Sequence, residues 1–183
     1  MTKQETIAYY FSLILKELGY DLSLEHIKET PERYARFLLD FLVNFDAKNN
    51  EKTFNVSKLD QLVIVKNIPF YSLCSHHVLP FFGHVNVGYL TGSKVIGLSK
   101  IPRIVKKHSH KLQVQENLAE DIAQDLERIL DDCNGVIVII SATHTCMNMR
   151  GVESEGQMVN SAVTGQFLDD DSLEQKFIQL LNI

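Results

Sequence analysis

The chain has 183 residues, 45% hydrophobic and 22% charged, with a net charge of −5. That length buries a full core without disulfides and suits one domain with a helical extension. The acidic balance excludes a general nucleic-acid or membrane-surface binder, which needs a dominant basic face, but leaves room for a basic pocket around one anionic ligand. Three cysteines, Cys74, Cys133 and Cys146, make a poor disulfide framework and point to a reducing, cytoplasmic setting. The first twenty residues carry charge and a helical repeat, with no small-residue cleavage site. No apolar run is long enough to span a bilayer.

Ile7, Tyr10, Phe11, Ile14, Leu15 and Leu18 fall on one helical stripe that Gly19 should end. A second helix is predicted from "TPER", with Thr30 as N-cap and Pro31 in the first turn. Tyr34, Phe37, Leu38, Phe41, Leu42 and Phe45 form its apolar face. The polar stretch 46–58 reads as a linker. Residues 1–50 are therefore expected to be a helical extension and 51–183 the main domain.

The pattern then changes. "QLVIVKNIPF" reads as a strand and "HVNVGYL" alternates as another; "TGS" turns the chain into the short strand "KVIGL". Ser99 should cap a helix through Ile101, Ile104 and Val105. After a break near His110, Val114, Leu118, Ile122, Leu126 and Ile129 continue a longer helix. Gly135 opens the buried strand "VIVIISATHTCMNM", and "MVNSAVTGQF" returns after the turn "ESEGQ". Ser172 should cap a last helix. The order predicts an α+β fold, an antiparallel sheet with paired helices on one face.

"FYSLCSHHVLP" sets Cys74, His76 and His77 in a loop between apolar runs. In "THTC", strand alternation would align His144 with Cys146. Cys74, His77 and Cys146 could hold one tetrahedral zinc with the fourth position open to water. A closed structural site with two cysteines and two histidines accounts for the same residues, and Cys146 alone reads as a buried apolar side chain. In an open site His76 and His144 remain for acid–base work.

"GLSKIPR" places Ser99, Lys100 and Arg103 at a helix start, where anions are favoured. Arg150 follows Cys146 by four residues, and Arg33 and Arg36 lie a turn apart on the second helix. Singly these are solvated charges; beside a metal they suit a polyphosphate. Glu116 could accept two parallel hydrogen bonds from guanine, or be an ordinary surface acid.

Together "CSHHVLPFFG", "VIGLSKIPRIV", "LQVQE", "HTCMNMRG", "NSAVTG" and "TPERYAR" resemble GTP cyclohydrolase I in order and spacing, from about residue 5 to about residue 180. The resemblance implies a tunnelling fold and a homodecamer of two stacked pentamers, with active sites between subunits. It implies Cys74, His77 and Cys146 as zinc ligands and His76 and His144 as catalytic histidines. Gln115 and Glu116 would recognise guanine. Ser99, Lys100, Arg103 and Arg150 would hold ribose and triphosphate, with Arg33 and Arg36 lending charge from another subunit. The implied reaction opens the guanine imidazole ring of GTP, releases formate and yields 7,8-dihydroneopterin triphosphate. Ser75, Arg36 and Thr164 depart from the Glu, Lys and Arg common at these positions, and the "ESEGQ" loop is unusually acidic. A catalytically weak GTP-binding paralogue is the alternative that Ser75 and Thr164 motivate.

Overall fold

The computed structural model describes residues 1–43, 52–57 and 60–183. Phe45, most of the expected linker and the expected boundary at 50/51 lie outside the described residues. The chain groups into two compact units, Met1–Asp46 and Ala47–Ile183.

The first unit holds α1 (Lys3–Glu17) and α2 (Thr30–Leu42). Thr2 and Glu5 form a reciprocal capping box at the start of α1. The two helices meet through Phe11 and Tyr34, whose rings stack at 4.1 Å. Two sequence expectations change here. The α2 cap position is Glu29, without a side-chain cap, so Thr30 is already helical. The α1 stripe is only partly covered, with Tyr10, Ile14 and Leu18 exposed.

The second unit is built on a five-stranded sheet, with β2 (Leu62–Cys74), β3 (Pro80–Leu90), β5 (Leu112–Gln113), β6 (Gly135–His144) and β7 (Gln157–Val163) in the order β5-β2-β3-β6-β7. All neighbours are antiparallel except β2 and β5. A separate ribbon pairs β1 (Thr53–Asn55) with β4 (Lys94–Ile96), so part of the expected linker is strand. Val136, Val138, Ile140 and Ala142 point to one face of β6 and pack under α3 (Lys100–Ser109) and α4 (Gln115–Leu130). These are the paired helices that the apolar spacing requires. Ile137 points the other way and packs with Phe177 of α6 (Asp171–Leu181).

Asp170, not Ser172, caps α6; its carboxylate accepts from the Ser172 N–H. Ser99 holds the cap position of α3 but makes no side-chain cap bond. Strand β6 stops at His144, and α5 (Thr145–Asn148) follows as one helical turn. Cys146 therefore lies on a helical turn, not on the strand, and the expected alternation of His144 with Cys146 does not operate. The closing contact is the Thr145 hydroxyl, which donates to the Pro80 carbonyl at 2.6 Å.

Candidate active site

Distant segments meet at one end of the sheet. Leu73 pairs with Pro80 and with Leu112, Cys74 with Gln113, and Phe81 with His144. The end of β2, the start of β3, the end of β6 and the first turn of α4 therefore share one region.

Cys74 is the buried last residue of β2, not a loop residue as the sequence suggested. The chain reverses over residues 75–79 in a clamped turn. Cys74 N–H donates to Leu79 O at 2.8 Å, Val78 N–H to Cys74 O at 2.8 Å, and Ser75 N–H to Gln113 O at 3.0 Å. Val78 takes φ +55°, a left-handed conformation rare for a β-branched residue. The turn exposes His76 and His77.

The ligand atoms of Cys74, His77 and Cys146 all lie within 4.8 Å of one another, and the group could hold a metal ion. Tetrahedral zinc, with bonds of about 2.0–2.3 Å, sets its ligand atoms roughly 3.5–4 Å apart, within reach of small side-chain rotations. The donor chemistry also fits. Burial and then the neighbouring Cys74 thiol push the Cys146 thiol up, while Arg150 opposes the rise. Two facing thiols resist losing protons unless a cation sits between them. His76 Nδ1 stands 3.7 Å from Cys74 Sγ.

His144 is half-buried beside this group. Its Nε2 lies 2.8 Å from Gln115 Oε1, and its ring stacks on Phe81 with centroids 4.7 Å apart and an 8° interplanar angle. Burial lowers its pKa, and the Glu116 carboxylate pulls against that. Gln115 is buried and Glu116 exposed, so consecutive residues of α4 face opposite ways.

The remaining expected residues are less tightly gathered. Ser99, Lys100 and Arg103 stand at the start of α3, with Ser99 and Arg103 exposed. Arg150 is exposed just past α5, its charge reaching Cys146. Arg33 and Arg36 are exposed on α2 in the first unit, with Arg33 2.7 Å from Glu29. Thr164 has a backbone duty, since its hydroxyl accepts from Val136 N–H at 3.1 Å.

Sequence reasoning passed over Phe81, Thr145 and Asn160, which support these residues. Phe81, Thr145 and Asn160 sit inside the blocks "CSHHVLPFFG", "HTCMNMRG" and "NSAVTG", which were the only signal that could have found them.

The chain matches the GTP cyclohydrolase I family over residues 7–182. It is 43% identical to GTP cyclohydrolase 1 of Hydrogenobaculum sp. (strain Y04AAS1) over 184 residues, 99% of each chain. The Aquifex aeolicus (strain VF5) protein of that name is 44% identical over 97% of this chain and 96% of its own. The Clostridium perfringens (strain 13 / Type A) protein is 38% identical over the whole of both. Among solved structures, a QueF-like archaeosine synthase aligns at TM-score 0.45 and 19% identity, over 57% of this chain and 96% of its own. The family match and the 38–44% identity to the three curated relatives over nearly the whole chain show that the chain belongs to the GTP cyclohydrolase I family.

Proposed function

We propose that the chain converts GTP to 7,8-dihydroneopterin triphosphate with release of formate, using zinc held by Cys74, His77 and Cys146. The carrying observation is that these three side chains converge beside His144 and Glu116 from segments far apart in the chain. When bound, zinc supplies Lewis acidity and activates water near neutral pH.

Glu116 accepts from guanine N1–H and the exocyclic amine, a paired contact that adenine does not offer. His144 gives a proton to N7, which makes C8 more electrophilic. Beside Cys74, His76 moves a proton to or from water. The start of α3 favours an anion, and Ser99, Lys100, Arg103 and Arg150 hold the ribose and triphosphate there. Arg33 and Arg36 come from another subunit. The Arg33–Glu29 pair is an exposed contact worth little, and a triphosphate competes with it readily.

Residues 1–50 then act as a helical extension and 51–183 as the catalytic part of a homodecamer. Among the described residues no helix is long and apolar enough to cross a membrane. All three cysteines are free, which suits the cytoplasm. Thr164 favours one competing reading, a weakly catalytic GTP-binding paralogue, because it brings no positive charge and its hydroxyl accepts from Val136 N–H.

One assay decides between them. Zinc-loaded protein is incubated with GTP, the mixture is oxidised, and pterin fluorescence and formate are measured. Both products should appear with the unaltered chain. His144→Ala should keep its zinc and lose turnover by about 10²- to 10⁴-fold, the usual share of general acid–base catalysis. Bound GTP without pterin from the unaltered chain would establish the paralogue.

A further inference from the structure

Gln115 opens α4 with its side chain turned inward, 1% exposed. Its Nε2 lies 3.2 Å from the Ile140 carbonyl oxygen, 3.1 Å from that of Met158 and 2.8 Å from Asn160 Oδ1. Two of these partners are backbone carbonyls, which only accept. Turning the amide over would aim its oxygen at both of them in a buried site, an arrangement that costs free energy. The orientation is therefore set by the strands and not by a choice of labels.

Oε1 is left facing His144 Nε2 at 2.8 Å. An amide oxygen donates nothing, so the hydrogen of this bond sits on Nε2. The neutral ring is then the Nε2–H tautomer, with its lone pair on Nδ1. Stacking on Phe81 fixes the ring plane, and Gln115 fixes the rotation within it. Asn160 completes the grip. Its Oδ1 accepts from Gln115 Nε2, and its Nδ2 lies 3.4 Å from the Gln115 backbone oxygen.

We propose that Gln115, held by Asn160 and the two strand carbonyls, is a positioning residue that locks His144 as the Nε2–H tautomer. Nδ1 is then the only ring atom free to exchange a proton with the substrate. Nδ1 first takes a proton from water, giving the imidazolium, and then passes that proton to guanine N7, which returns the ring to the Nε2–H tautomer; Nε2–H stays with Gln115 throughout. This rests on the reading of His144 as the proton-transfer residue. It also reassigns Gln115, whose amide is spent on the protein. Guanine recognition falls to Glu116, exposed one residue on.

The test has a structural arm and a kinetic arm. Neutron diffraction from deuterium-exchanged, zinc-loaded crystals of the full chain should show deuterium on His144 Nε2, directed at Gln115 Oε1. A bare Nε2 overturns the lock, and this arm needs no variant to fold. In Gln115→Met, kcat should fall by about 10- to 100-fold, part of the general acid–base contribution, while the Kd for GTP stays unchanged. A raised Kd with kcat intact would make Gln115 a guanine contact and overturn the proposal. Full turnover by His144→Ala would remove the proton-transfer reading, and with it the role given to Nδ1, whatever the tautomer.

Discussion

Cys74 and Cys146 bring two thiols to one place from β2 and α5, and His77 closes the group. Burial and mutual proximity hold the Cys146 thiol up, so it keeps its proton until a divalent cation displaces it. Cys146→Ser keeps the volume but removes the soft donor. We expect it to lose bound zinc, read by elemental analysis of dialysed protein, and turnover together. A Ser variant that kept stoichiometric zinc would take Cys146 out of the ligand set. Gln115 and Glu116 show how much one residue step decides. One turns inward to His144 and strand carbonyls, the other outward to solvent. Their adjacency in "LQVQE" hides that difference.

At the scale of elements, the strands place the site and the helices hold the strands. Gly83 pairs with Ala142, two residues from the Phe81–His144 pair. A Cβ at Gly83 would collide with the Ser141 backbone carbonyl, so only glycine lets β3 and β6 approach this closely. On the other side of α3 and α4, Asp125 ties the two helices together. Burial alone would raise its carboxyl. Hydrogen bonds from Lys107 at 2.7 Å, His108 at 2.9 Å and Arg128 at 2.8 Å outweigh that and hold it well below the ordinary carboxylate range. A carboxyl depressed in the folded state adds stability that is complete above its unfolded pKa, about 4, and is lost as pH falls through the folded value. Asp125→Asn should therefore cost about 1–3 kcal/mol at pH 7 and flatten the loss of stability below pH about 4. Urea denaturation of both proteins across this range checks it, and an unchanged acid limb would show that the cluster contributes nothing.

For the whole molecule, the face of the sheet opposite α3 and α4 carries exposed apolar groups. Tyr71 and Phe82 stack at 5.7 Å while 63% and 38% exposed, and Val159 is 64% exposed. Exposed apolar area of this kind marks an interaction surface, in keeping with the proposed decamer of 20.9 kDa chains. Sharing of sites between subunits has a direct test. Cys146→Ser and the double variant Arg33→Ala/Arg36→Ala should each be nearly inactive, yet co-expressed chains should regain activity in mixed oligomers. Mixtures as inactive as their parents, with mixing confirmed by native mass spectrometry, would place each site within one chain.

Local pattern made much of this protein legible. Apolar spacing marked α3 and α4, alternation marked β3, the turn "ESEGQ" marked the return into β7, and the blocks carrying Cys74, His144 and Cys146 stood out by composition and order. These features depend on neighbours a few residues away, so they are written in the chain itself. Only the tertiary structure decided the rest. Cys146 sits on a helical turn because Thr145 finds the Pro80 carbonyl 65 residues away. The two-residue strand β5 exists because Cys74 is there to pair with Gln113. Gln115 turns its amide oxygen to His144 because strand carbonyls on β6 and β7 occupy its amide nitrogen. Hydrogen bonds between groups so far apart leave no periodic trace in a sequence, because each needs a partner that only folding brings within reach.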